Sequence, residues 1–137
     1  MKEPTVTTST VPQPGMSGSV EATVTDADTA ASLGSGDLAV YATPAMVALM
    51  EAAACACLGG LVPEGYTTVG TSLAIEHVAA SPVGAHVTAT ATITEVTRRG
   101  VTFAVSVRDA VGEIGRGTHA RSLVDADTLL ARAQLRR

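Results

Sequence analysis

Thr43, Glu51 and His77 are the residues of this chain best placed to do chemistry: a hydroxyl, a carboxylate and an imidazole, each set among apolar neighbours. Glu51 is the single charged residue in the run 44–58, and His77 lies in a strand-like run that carries Val69, Leu73 and Ile75. An acid or an imidazole in such surroundings is costly unless paired, and the setting moves its pKa. Together the three groups can supply a nucleophile or an activated water, transfer a proton and orient one of the partners. Taken singly, each has a plainer reading. A lone Glu in an apolar helix can bond a buried backbone group or a partner subunit, a His on an apolar strand face can be a satisfied core residue, and Thr43 is explained as a helix cap. The weight lies in the combination.

The elements that must position these groups are legible. Thr43 is a good N-cap, Pro44 fits the first helical turn, and Gly59-Gly60 form a stop, so a helix is expected over 44–58. Met46, Val47, Leu49, Met50, Ala53, Ala54 and Leu58 cover its whole circumference, which predicts a helix buried on every side. Ahead of it, Val20, Ala22 and Val24 alternate with polar residues in a first strand over 18–25, followed by a polar loop over 26–36. After it, 68–80, 85–97, 101–108 and 113–124 read as strands, and the short links between them predict antiparallel neighbours. Val87, Ala89, Ala91 and Ile93 share one side of their strand and threonines the other; Val101, Phe103, Val105 and Val107 repeat the pattern. A last helix is expected from about Asp125, with Leu129, Leu130 and Leu135 as its apolar stripe. Residues 1–17 read as a flexible N-terminal tail and 18–137 as a single domain. The fold class is α+β: a curled antiparallel sheet wrapped around a central apolar helix, the hotdog fold.

Composition narrows the function. With 137 residues, 46% of them hydrophobic, the chain has length for one real core, and an aromatic content of 2% means that Ala, Val, Leu and Ile must pack it, leaving room for a ligand. A net charge of −4 and scattered arginines (Arg98, Arg99, Arg108, Arg116, Arg121) give no basic face, which argues against nucleic acid, although a few arginines can still hold a phosphate. No signal sequence opens the chain and no apolar run suits a membrane span, so a cytoplasmic protein with no membrane partner is expected. Cys55 and Cys57 lie two apart on the expected helix, cannot bridge each other and read as packing residues. Gly115-Arg116-Gly117 lies inside a strand and is no dinucleotide loop, Gly34-Ser35-Gly36 is no hydrolase elbow, and His77, His86 and His119 lack zinc-site spacing.

Four segments carry a family resemblance: residues 42–51 (ATPAMVALME), 69–71 (VGT), Glu76-His77, and 109–121 (DAVGEIGRGTHAR). They resemble the fluoroacetyl-CoA thioesterase family over roughly residues 40–124. The resemblance implies a homodimeric hotdog enzyme that hydrolyses a short acyl-CoA, with Thr43, Glu51 and His77 as the catalytic trio and Gly70 and Arg121 contacting substrate. It implies no metal and no other cofactor. Without the family, Gly70 reads as a bulge and Arg121 as a strand-surface charge. Family members that handle fluoroacetate use aromatic residues in a lid ahead of the central helix; here the stretch 25–42 holds only Tyr41 as an aromatic. In thioester hydrolysis Glu51 would attack the acyl carbon to give an anhydride or else activate a water, His77 would move protons, and Thr43 would orient one of them. Backbone N–H groups near Gly70 or at the helix start would suit the oxyanion. Two rival functions are a non-catalytic acyl-CoA or small-ligand binding protein, and a hotdog hydratase or dehydratase, whose Asp and His constellation is not found.

Overall fold

The computed structural model describes residues 11–137. In chain order it contains β1 (Ser17–Thr23), a 3-10 turn (Asp26–Asp28), α1 (Ala30–Leu33), α2 (Thr43–Leu58), β2 (Tyr66–His77), β3 (His86–Val96), β4 (Gly100–Arg108), β5 (Glu113–Asp125) and α3 (Ala126–Gln134). The strands form one antiparallel sheet in the order β1-β3-β4-β5-β2. Its concave face is made by the alternation expected from sequence: Val87, Ala89, Ala91 and Ile93 of β3 and Val101, Phe103, Val105 and Val107 of β4 are all buried. They pack on Met46, Met50, Ala53, Ala54, Cys57 and Leu58 of α2. Each large side chain so buried contributes on the order of 1.5–3 kcal/mol. At Gly18 a Cβ would strike the backbone of Ala53 and Cys57, so only glycine lets β1 lie this close to α2. The result is the hotdog arrangement, with α2 laid across a curled, open sheet.

Several expectations change. The link 78–85 does not join neighbours: β2 pairs with β5 and β3 with β1 and β4, so the segment crosses from one side of the sheet to the other, bridged at Val40–Pro82 and anchored by buried Ser81. Eight residues reach at most about 28 Å, enough to pass over β5 and β4 and span the three inter-strand spacings of about 4.8 Å each, so a short link fixed reach and not adjacency. Nor is α2 enclosed. Ala48, Ala52, Cys55 and Ala56 are exposed, so its outer apolar stripe has no cover among the described residues, and Cys55 is not a packing residue while Cys57 is. Thr43 is not the N-cap: Ala42 takes that place and Thr43 is the first helical residue, which frees its hydroxyl.

The loop 26–36 contains the 3-10 turn and α1, closed by Thr29, whose side chain accepts from Ser32 N. Gly15 N donates to Ile93 O (2.9 Å) and Ile93 N to Met16 O (2.8 Å), so this part of the expected tail extends the pairing of β1; the tail's residues 1–10 lie outside the described residues. α3 starts on Asp125, whose carboxylate accepts from Thr128 N, and buries none of its residues. Among the described residues no helix is long and apolar enough to cross a membrane.

Candidate active site

Thr43 and His77 meet. Thr43 stands in the first turn of α2 and His77 is the last residue of β2, and Thr43 Oγ1 lies 2.8 Å from His77 Nδ1. His77 Nε2 is buried without a hydrogen-bond partner among the described residues. Burial lowers the His77 pKa, because desolvation disfavours the imidazolium, so the ring is neutral near pH 7. The edge of Tyr41 approaches it, with ring centroids 6.4 Å apart at 84°. Thr43, His77 and Tyr41 line a cavity of about 330 Å³ whose other wall is the α1 segment, with Ala30 and Ser35. A neutral imidazole with one nitrogen held and the other unsatisfied can accept a proton from a group that enters this cavity.

Glu51 belongs to a second cluster, two helical turns further along α2. Its Oε2 accepts from Arg121 Nη1 at 3.1 Å and faces Gly70, where an added Cβ would collide with it. Arg121 on β5 is nearly buried, donating from Nε to Thr68 Oγ1 and from Nη2 to Thr68 O, both at 3.0 Å. A buried guanidinium is tolerated because its donors are met and a carboxylate balances it. Gly70 precedes a bulge: the β2–β5 register shifts between Gly70 and Ser72, leaving Thr71 without a partner in the ladder. Gly70 is therefore a bulge and also the only residue type that leaves space for the Glu51 carboxylate.

His119, set aside by the sequence reading as unrelated to a zinc site, completes this cluster. It is buried, stacked on Phe103 at 25° with centroids 6.2 Å apart. Its Nδ1 lies 2.9 Å from Ser72 O and must donate there, so in the neutral ring Nε2 is the acceptor, placed 3.2 Å from Arg121 Nη1. Nη1 thus serves His119 and Glu51 together, while His119 Nε2 is 3.8 Å from Glu51 Oε2. His119 ties the bulge to the Arg121–Glu51 pair. The usable signal was its spacing: His119 and Arg121 are two apart on a strand, hence on one face, as the segment His119-Ala120-Arg121 announces.

Within one chain, then, Thr43 joins His77, and Glu51 joins Gly70 and Arg121, but the trio does not converge. Eight residues of helix separate Thr43 from Glu51 by about 12 Å. His86, by contrast, sits on the exposed threonine face against Glu21 (2.8 Å), and Arg116 pairs with exposed Glu76 and Glu113, so neither belongs to the site.

Comparison with known proteins agrees with this architecture. A family model described as fluoroacetyl-CoA-specific thioesterase matches residues 24–127. The chain is 37% identical over 95 residues to the fluoroacetyl-CoA thioesterase of Streptantibioticus cattleyicolor, spanning 69% of this chain and 68% of that protein. It matches a solved structure of the fluoroacetyl-CoA thioesterase FlK with a TM-score of 0.87 at 30% identity, covering 92% of this chain and 98% of that one. A threonine-to-serine variant of FlK, solved in complex with acetyl-CoA, matches at 29% identity with the same TM-score, over 91% and 98% of the two chains. A thioesterase superfamily member from Thermus thermophilus matches at 0.82 and 25% identity, over 90% of this chain and 94% of that one. With a family model over three quarters of its length and the fold shared nearly end to end, the chain belongs to the fluoroacetyl-CoA-specific thioesterase family, a family of thioester hydrolases.

Proposed function

We propose that this protein is a cytoplasmic acyl-CoA thioesterase whose single domain, residues 18–137, works as a homodimer with Thr43, Glu51 and His77 as catalytic residues and Gly70 and Arg121 at the substrate. One observation carries the reading: the two clusters stand apart along β2, one at Gly70 near its middle and one at His77 at its end, and β2 is an edge strand unpaired on one side among the described residues. Among the described residues β2 ends the sheet, its Leu73 and Tyr66 are exposed, and the outer stripe of α2 is apolar and uncovered. An exposed edge and an uncovered apolar helix face favour a second copy. Antiparallel pairing of two β2 strands about a two-fold axis midway between Gly70 and His77, near Ala74, sets each Glu51–Gly70 cluster beside the partner's Thr43 and His77. The trio then converges between chains.

In that site Glu51 either attacks the acyl carbon or takes a proton from the attacking water. Its second oxygen is available because Arg121 holds Oε2. Arg121 also fixes the carboxylate in the space that the missing side chain of Gly70 leaves for it, and so sets the direction from which it meets the thioester. His77 Nε2, without a partner among the described residues, takes the proton of the water that opens the anhydride, or in the other route the one that Glu51 has removed, and passes it to the CoA thiolate, while Thr43 holds Nδ1 and with it the ring's orientation. The sum is acyl-CoA plus water giving acid plus CoA thiol. The substrate is a short acyl group. Tyr41, the one aromatic of the lid stretch, is buried against His77 with its OH 3.4 Å from Ala45 O, and beyond it the stretch 25–42 adds no aromatic side chain to reserve the site for fluoroacetate.

The test is thiol release from a panel of short, branched, aromatic and halogenated acyl-CoA esters. Turnover of several short esters, with fluoroacetyl-CoA preferred over acetyl-CoA by less than about tenfold in kcat/KM, is expected; no thiol from any ester would end the reading.

A pH dependence follows from the same geometry. Neutral His77 is the working form and burial depresses its pKa below the ordinary 6.5, so the protonated form gains population only under that value. The acid limb of kcat/KM is therefore expected to be centred below pH 6.5. A limb centred above it would assign the proton transfer to another group.

A further inference from the structure

Arg98 and Arg99, at the turn between β3 and β4, and Arg132 on α3 line one cleft of about 460 Å³ with Tyr66 and Asp125. All three arginines are exposed, and none makes a side-chain hydrogen bond or ion pair among the described residues. The one carboxylate of the cleft, Asp125, already accepts from Thr128 N at 2.9 Å as the cap of α3. Three uncompensated guanidiniums gathered on a chain of net charge −4 make a local field that fits an anion, and the planar fork of arginine suits phosphate oxygens.

The cleft is connected to the site. A second cavity, of about 210 Å³, shares Tyr66 with it and runs between the end of α2 and the start of β2, lined by Cys55, Gly60, Val62 and Thr68. Cys55 lies one helical turn beyond Glu51 on the same face, and Thr68 is the residue that holds Arg121. Tyr66, Thr68 and Gly70 alternate onto one face of β2, four residues and about 13 Å from end to end. A trough of mostly uncharged lining thus leads from the Glu51 carboxylate to the arginines. An acyl-CoA has the same order: a reacting thioester, an uncharged pantetheine arm, then phosphates.

We infer that the Arg98–Arg99–Arg132 cleft binds the phosphates of the CoA moiety, with the pantetheine arm lying in the trough past Cys55 and Thr68. This rests on the thioesterase reading and adds to it where the substrate's charge is recognised, away from the reacting groups.

The experiment compares KM for one acyl group carried by CoA and by pantetheine, in the unaltered protein and in Arg98→Gln, Arg99→Gln, Arg132→Gln and the triple variant. The exposed positions make misfolding no obstacle, and circular dichroism checks it. Each single substitution is expected to raise KM for the CoA ester roughly three- to tenfold, and the triple variant is expected to bring it to that of the pantetheine ester, with kcat kept. The CoA preference of the unaltered protein should also fade with added salt, and that salt dependence should vanish in the triple variant. An unchanged KM for the CoA ester in the triple variant overturns the inference while the thioesterase stands. Thiol release from neither ester by the unaltered protein overturns the reading beneath it.

Discussion

Glu51→Gln is expected to lower kcat for thiol release by about three orders of magnitude or more, roughly 4 kcal/mol of barrier, with the fold intact. The amide keeps the length and the oxygen that Arg121 Nη1 bonds at 3.1 Å, and Arg121 keeps both donors to Thr68. What it loses is the negative charge that attacks or deprotonates. The plainer role of Glu51, a counter-ion for a nearly buried guanidinium, predicts the reverse: turnover kept and stability reduced by about 1–3 kcal/mol as that charge is left unpaired. Steady-state thiol release and a denaturation midpoint on the same variant separate the two, and residual kcat above about a tenth would assign Glu51 to structure. In the unaltered protein, a single turnover in isotopically labelled water then divides the two routes. An anhydride that water opens at the Glu51 carbonyl puts label into the carboxylate, whereas an activated water puts it only into the product acid.

The parts of the fold that sequence displayed were those governed by local rules. Alternation along β3 and β4 named each buried residue of those strands, and the glycines at 59 and 60 marked where α2 stops. Relations between distant elements were hidden. The link 78–85 looked like a hairpin because a short connection bounds distance only, and buried Ser81 with the Val40–Pro82 bridge, which holds it across the sheet, shows no periodicity. The circumference of α2 was read as wholly enclosed because the small apolar residues of its exposed face, Ala48, Ala52 and Ala56, have the same composition as residues of the core. Of the site, the residue types were legible and the structure brings Thr43 to His77 and Glu51 to Arg121, but nothing in the one-dimensional pattern told that the two pairs stand apart. His119 stayed unseen for a related reason. Its partners, Ser72 O and Arg121, are reached across the ladder of β2 and β5, and only the two-residue spacing to Arg121 betrays the shared face.

That separation supplies the most demanding test. If Glu51 of one chain works with the partner's Thr43 and His77, then Glu51→Gln and His77→Ala are each inactive as homodimers yet complement one another. In a mixed dimer, one site combines both lesions and the other contains neither: the His77→Ala chain provides Glu51, and the Glu51→Gln chain provides Thr43 and His77. Random reassortment makes about half the dimers mixed, each with one good site of its two, so mixing equal amounts after dissociation is expected to restore about a quarter of the native rate. Against residual activities about a thousandfold down, that is a rise of two orders of magnitude. A site built within one chain gives no such rise, since every mixed dimer would then carry one lesion in each site. Measuring thiol release before and after reassortment, with the mixed dimer verified by mass, decides between them, and a mixed dimer as inactive as its parents would refute the shared site.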